Sequence, residues 1–288
     1  MTLRRLARRV YKRVRKLRYG RAQIPIIHVK LTEHCNLDCI GCNVFSPIAS
    51  KSFLDLKSYA KDLRRVRKLL GRKFGVILMG GEPLLHPEIA EFCRVTRKVV
   101  PREKISVLTN GVRALKMPEE FWEAMKSNKI TLSVTKYPID IDHDKIKQTC
   151  RERGVQFEYN GGEKSMDAFI IQAVDPEGNG DPRDNYTRCS VKHCTNLMDG
   201  RLYPCFLPLS IEHFNKYFGY DIPVSAEDYV DIYAAKSGRE VMRKLYWRRK
   251  PMPFCRYCDI DSKLTSFVEY RRSKKELSEW VNAELPRE

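Results

Sequence analysis

Cys35, Cys39 and Cys42 stand in a C-x3-C-x2-C spacing, directly after an apolar run that reads as a strand. Three thiolates on one short loop can hold three irons of a cubane cluster and leave the fourth iron open to chemistry. A closed four-ligand site leaves no position free. Taken alone, the triplet also suits a zinc knuckle or three buried cysteines. A second group follows far along the chain: Cys189, Cys194, Cys205, Cys255 and Cys258. Asp199-Gly200 is a two-residue hairpin signal between Cys194–Met198 and Arg201–Cys205. Counting outward from that turn sets Cys194 opposite Cys205, close enough to share a metal. A four-cysteine zinc ribbon would use similar paired spacings. Cys93 and Cys150 fall on helical patterns and read as small core residues.

These groups must be positioned by an alternation of strands and helices. The pattern predicts strands over 24–31, 74–79, 104–108, 130–135, 155–159 and 169–174. Helices are predicted between them, over about 52–70, 88–100, 118–127 and 142–153. Repeated strand-then-helix at this spacing argues for a parallel sheet covered by helices. The polar, turn-rich stretch 176–188 reads as the end of that unit. A helical pattern is expected near 225–248, and another in the charged tail, where Leu277 and Trp280 are candidate docking residues.

At 288 residues the chain can bury a substantial core. The net charge of +18 is concentrated: Arg4, Arg5, Arg8, Arg9, Lys12, Arg13, Arg15, Lys16, Arg18 and Arg21 precede any acid, leaving about +8 for the rest. Leu3, Leu6, Val10, Val14 and Leu17 recur at helical spacing among them. Residues 1–23 therefore read as a basic amphipathic helix that can lie on an anionic membrane or pack with a solvated face. No nucleic-acid module accompanies the charge, and no nucleic-acid partner is expected. Cysteines clustered in metal-type spacings, with no signal peptide and no membrane-length apolar run, favour a reducing, cytoplasmic setting, with membrane association through the N-terminal helix as an addition.

The triplet, together with Gly80-Gly81-Glu82 one strand-helix unit later, resembles the radical S-adenosylmethionine (SAM) superfamily. The resemblance covers about residues 24–260. It implies a partial (β/α)6 TIM-type barrel over residues 24–180, with site groups on loops at strand C-terminal ends. It also implies SAM as cofactor and a catalytic 4Fe–4S cluster on Cys35, Cys39 and Cys42. Two glycines would let the backbone approach the methionine moiety, with Glu82 meeting its ammonium. Asn110, Ser133 and Lys136 are implied as further SAM contacts. Relatives usually carry an aromatic residue before the third cysteine, where this chain has Gly41; adenine packing is then left to Phe45 or an aliphatic of the fifth strand.

The distal cysteines resemble the shortened SPASM type called a twitch domain, over residues 181–262, which holds one auxiliary 4Fe–4S cluster. Cys205, Cys255 and Cys258 are its expected ligands. Cys189 fits the family spacing and Cys194 the hairpin, and the spare thiol of that pair is a candidate hydrogen donor. Residues 263–288 are expected as a C-terminal helix. His28, His34, His86 and Glu33 flank the presumed site as candidate bases.

The implied activity is reductive cleavage of SAM and abstraction of a substrate C–H hydrogen. A sugar, aminocyclitol or glycan would be dehydrogenated, epimerised or dehydrated, with electrons from a flavodoxin- or ferredoxin-type donor. Two alternatives stand beside it. One is a maturase of a ribosomally made peptide, although residues 1–23 are too few for the leader-binding domain such maturases often carry. The other is a non-catalytic metal-binding protein with a basic membrane- or nucleic-acid-binding arm.

Overall fold

The computed structural model describes residues 26–71, 74–162, 168–189, 191, 194–246, 250–262 and 267–282. The basic amphipathic helix expected over residues 1–23 lies outside the described residues. The first half of the chain runs β1 (Ile26–Lys30), α1 (Leu56–Leu70), β2 (Gly75–Met79), α2 (Ile89–Val99), β3 (Ile105–Thr109), α3 (Glu119–Ser127), β4 (Thr131–Thr135), α4 (His143–Arg153) and β5 (Gln156–Asn160). The second half runs β6 (Ala168–Ile170), α5 (Pro182–Arg188), β7 (Thr195–Met198), β8 (Arg201–Tyr203), α6 (Phe206–Phe218), β9 (Val230–Asp231), α7 (Gly238–Leu245) and β10 (Phe267–Glu269).

Strands β1 to β5 pair in parallel in sequence order, and the central sheet reads β5-β4-β3-β2-β1-β7-β8-β9. One face is apolar: Val29, Leu78, Val107 and Leu132 are fully buried in the core that the helices cover. The intervening residues of the same strands, Lys30, Met79, Leu108 and Ser133, lie on the other face in one continuous register. Alternation along each strand sorts the two sets. Helix α1 shows the same logic at helical period. Tyr59, Leu63, Val66 and Leu70 are buried, and Asp55 caps the first turn by accepting from the Ser58 N–H at 2.8 Å. Cys93 and Cys150 are fully buried on the core faces of their helices, as their spacing implied.

The fold is the expected α/β type with a mostly parallel sheet, but its sixth strand departs from expectation. Strand β6 leaves the central sheet and pairs antiparallel with β10, while β7 takes the place beside β1 in parallel register. The residues after β6 spend their backbone groups elsewhere. The Val174 N–H donates to Trp280 O at 2.7 Å, the Asp175 N–H to Tyr257 O at 2.9 Å, and Ala173 O accepts from Asp259 N at 3.0 Å.

The tail is also corrected. Where a helix was expected over 263–288, the described residues form β10 and a single 3-10 turn, Leu277–Glu279. Among the described residues near 225–248, only Gly238–Leu245 is helical. Two helices were not foreseen. Asp181 and Pro182 start α5, with the Asp181 carboxylate accepting from Arg183 and Asp184 N–H groups. Helix α6 buries Leu207, Ile211 and Phe214 at spacings of four and three. These side chains join Phe45, Val174, Phe254 and Trp280 in a second core, distinct from the one under the sheet.

Candidate functional site

The cysteine triplet occupies the loop after β1, at the C-terminal edge of the parallel strands. The Leu37 N–H points at Cys35 Sγ (3.3 Å), and Asn110 Nδ2 lies 3.6 Å from the same sulfur while donating to Asn36 Oδ1 at 2.8 Å. Asn110 is thus brought to the site from the end of β3. The loop closes through Cys42 N to Cys39 O at 3.3 Å and Phe45 N to Cys42 O at 2.9 Å. Burial, then the neighbouring charges of Glu82 and Cys42, pushes the Cys35 thiol up to about 12. Burial followed by Cys42 and Cys35 raises Cys39 as well. Burial, reinforced by repulsion from neighbouring thiolates, keeps Cys35 and Cys39 protonated unless a cation replaces the protons. Among the described residues, no three His, Cys, Asp or Glu side chains group as a single metal ion would require. A cubane asks for a wider set, each thiolate on its own iron, and three thiols on one exposed-edge loop fit that demand.

Gly80 and Gly81 serve the loop's packing. A Cβ on Gly81 would lie 2.1 Å from His34 O, and one on Gly80 would lie 2.5 Å from Thr32 O. Only glycine lets the β2 loop press against the cysteine loop this closely. Glu82 is fully buried, and all its acceptor capacity in view is turned inward. Oε1 accepts from Leu84 N (2.9 Å) and Thr109 Oγ1 (2.7 Å), and Oε2 accepts from Asn110 N (2.9 Å). Burial raises its pKa to about 6 against the pull of these donors. The observed carboxylate therefore ties the β2 and β3 loops together, rather than standing open to an ammonium.

The other implied SAM contacts divide. Ser133 is buried on the sheet face opposite the helices, between Leu108 and Glu158 in register. Lys136 places its ammonium 5.5 Å from the centre of the Tyr159 ring, a residue that packs against the helix-side core. Its neighbour Tyr137, not foreseen, lies close enough to the Cys39 thiol to pull its pKa down against burial, and packs on Tyr270 with ring centres 5.4 Å apart. An aromatic residue just past a β4 C-terminal end was the available signal. Phe45 is fully buried against Phe214 and Trp280, so the adenine contact expected of it is not available, and Val155, the aliphatic residue of the expected fifth strand, is buried in the helix-side core. The space beside Gly41 is filled from the chain after β6: a Cβ there would meet Ile171 Cδ1 at 2.3 Å.

Of the candidate bases, His86 uses both ring nitrogens on the backbone of Leu54 and Glu88. His34 packs edge-on against Phe53. Glu33 is held by Lys30 and by His213 from α6, and Lys30 also donates to Ser210 at 2.9 Å. Desolvation opposes ionisation of Glu33, but these partners prevail and hold its carboxyl below the usual range. His28 Nδ1 lies 3.1 Å from Thr195 O and 3.8 Å from Cys194 Sγ.

The distal thiols gather from separate elements. Cys189 follows α5, Cys205 precedes α6, Cys255 lies within the 3-10 turn Pro253–Tyr257, and Cys258 follows that turn. All four line one pocket with Asn185, Tyr186, Met252 and Phe254. Asn185 Nδ2 donates to Cys255 O (2.8 Å) and Cys258 O (2.7 Å), holding that turn against α5. Burial, with neighbouring thiols, raises Cys205 and Cys258. The hairpin forms as counted, with Met198 opposite Arg201 and Asn196 opposite Tyr203. Asp199 and Gly200 both adopt positive φ (46° and 71°). Cys194 nevertheless does not line the pocket. Its sulfur lies 3.7 Å from Asn196 Nδ2 and faces His28.

Residues 29–160 match the Radical SAM superfamily. Over 98 residues the chain is 32% identical to a GTP 3′,8-cyclase of Petrotoga mobilis, covering 33% of this chain and 29% of that protein. A second GTP 3′,8-cyclase, from Clostridium botulinum, is 27% identical over 195 residues, 65% of this chain and 59% of the relative. The chain thus spans less than two thirds of the length of these curated relatives. In fold it is similar to BtrN, in a crystal structure with AdoMet and 2-DOIA. The TM-score is 0.51 at 16% identity, covering 83% of this chain and 94% of that one. No described helix is long and apolar enough to cross a membrane.

Proposed function

Starting from the radical SAM domain that residues 29–160 form, we propose that the whole chain is an enzyme with two 4Fe–4S clusters. One is bound by Cys35, Cys39 and Cys42, the other, auxiliary, by Cys189, Cys205, Cys255 and Cys258. The observation that carries this reading is the single pocket lined by four thiols from three separated stretches of chain. Such convergence is costly to build and matches a four-thiolate cluster. When bound, SAM and the reduced cluster supply a 5′-deoxyadenosyl radical that removes a hydrogen atom from a substrate C–H bond. The chain's own part is positional. Asn110 orients Cys35, Gly80 and Gly81 seat the β2 loop on the cysteine loop, and Glu82 locks that loop to the end of β3.

A sugar, aminocyclitol or glycan is the substrate class we favour. The support is the fold likeness over most of the chain to BtrN, whose structure holds AdoMet and 2-DOIA. The position of Cys194 bears on the reaction. Its sulfur is separate from the four-thiol pocket and lies near His28, on the sheet face opposite the helices. Cys194 precedes β7 beside the start of β1, at the opposite strand ends from the cysteine loop, so its placement does not favour hydrogen return to the substrate radical from this thiol, the route to an epimer. In that route the thiyl radical left behind would take one electron from a flavodoxin- or ferredoxin-type donor and one proton. Without such return, electron transfer to the auxiliary cluster gives dehydrogenation. The cyclase relatives motivate a second reading, with GTP as substrate.

The test is iron counting with Mössbauer spectroscopy on anaerobic protein, followed by SAM turnover with a sugar panel and with GTP. About eight irons, falling to four in the Cys35/Cys39/Cys42→Ala variant, are expected. Sugar-dependent 5′-deoxyadenosine supports the favoured class, and GTP-dependent formation replaces it with the second. Four irons falling to none would remove the auxiliary cluster. No 5′-deoxyadenosine under any condition would leave a binding protein.

A further inference from the structure

The cysteine loop is bound along its length by a segment more than 220 residues away in sequence. The Ile40 N–H donates to Arg271 O at 2.9 Å, and the Ser273 N–H donates to Asp38 O at 2.7 Å. These two bonds flank an antiparallel bridge between Cys39 and Arg272. The Arg272 guanidinium adds an ion pair to Asp38 at 3.1 Å. Further on, Trp280 Nε1 donates to Cys42 O at 3.0 Å. Its ring is fully buried between Phe45 and Phe218, with centres 6.0 and 5.8 Å away. The turn between these contacts is itself locked, since the Glu279 carboxylate accepts from the N–H groups of Lys274 and Glu276. At Gly41 the approach is so close that a Cβ would come within 2.9 Å of Glu279 O.

We infer that residues 271–280 are a strap that positions Cys39 and Cys42 and retains the iron they hold. Trp280 and Ser273 are positioning residues of the radical SAM centre. The inference rests on the proposal that the triplet binds a cluster. A loop of eight residues carrying three thiols loses much conformational freedom when all three must meet one cluster. Backbone bonds made beforehand by the strap remove part of that cost, and surrounding contacts of this kind commonly change metal affinity by about 10- to 100-fold. The strap also bears on the distal thiols. Val174 pairs on one side with Cys258 and on the other with Val281, so one short segment lies between the two cysteine sets.

Trp280→Phe keeps a ring in the slot and removes the N–H, while Ser273→Pro removes the N–H given to Asp38 at a half-exposed position. Each reconstituted protein is challenged with a chelator, and iron release is followed alongside hydrogen exchange of residues 38–42. The expected result is release about tenfold faster, confined to the four irons that the Cys35/Cys39/Cys42→Ala variant lacks, with faster exchange over residues 38–42. Wild-type release in both variants overturns the strap. So does acceleration of both iron sets together, which would mark a general loss of folding. If the wild-type triplet holds no iron, the functional reading fails by itself. Exchange then still decides whether the strap orders the loop: unchanged exchange in both variants overturns it.

Discussion

The two cysteine sets reach convergence by opposite routes. The first draws all three thiols from eight consecutive residues on one loop, so its local shape follows from chain connectivity, and the rest of the protein clamps it. The second draws four thiols from the end of α5, the start of α6 and the turn at Pro253–Tyr257. No local preference brings those pieces together. Only the packing of the second core and a few long-range hydrogen bonds do so. The first set should therefore survive loss of distant contacts with faster exchange and faster iron release, whereas the second should fail outright when a key tether is cut.

The strongest break falls on Asn185. Replacing it with Leu leaves Cys258 O without its donor, a loss of about 1–3 kcal/mol, and leaves Cys255 O with only the longer bond from Cys258 N at 3.4 Å. The expected outcome is loss of the distal irons with the triplet's irons retained, measured by iron counting and Mössbauer spectroscopy. Equal loss from both sets would show that the two regions are one cooperative unit.

A smaller effect is expected at Glu82, which serves the first set alone. Its folded pKa, about 6, lies above the ordinary value of 4.5, so the stability it lends is complete below pH 4.5 and declines as pH rises through about 6. The decline is at most about 2 kcal/mol. Glu82→Gln should flatten that slope in denaturant titrations at pH 4.5 to 7. An unchanged slope would assign the pH dependence to another group.

Cys194 should show the least effect on metal content. Cys194→Ala is expected to keep both iron sets, 5′-deoxyadenosine formation and the wild-type level of solvent-derived hydrogen in the product, read by iron counting and by mass spectrometry in deuterated water. Loss of the distal iron instead would return Cys194 to the ligand set.

Much of this was legible in the sequence, for identifiable reasons. The first five strands and four helices announce themselves through periodicity, because each buries one face against the same sheet. The triplet is local, and the Asp199-Gly200 hairpin depends only on two residues tolerating positive φ. The choice between Cys189 and Cys194 was open because spacing from the glycine and pairing across the hairpin are both local rules, and they disagree. Pocket geometry separates the two thiols, since the chain after α5 turns Cys189 toward Asn185 and Cys255. Lys136 shows the same limit: a lysine at a strand end can face either way, and the Tyr159 ring holds it. Tyr137, one residue on, had no spacing to mark it.

By itself, then, the sequence determined the alternating α/β framework, the three-thiol loop and the glycine pair that follows one unit later. All of these arise from short-range spacing. Tertiary structure alone decided that the sixth strand leaves the sheet, that the tail forms a strap instead of a helix, and that Glu82 faces inward. Each outcome depends on backbone donors and acceptors finding partners far away in sequence. Burial makes such pairing obligatory, and no local pattern specifies which partner will be found.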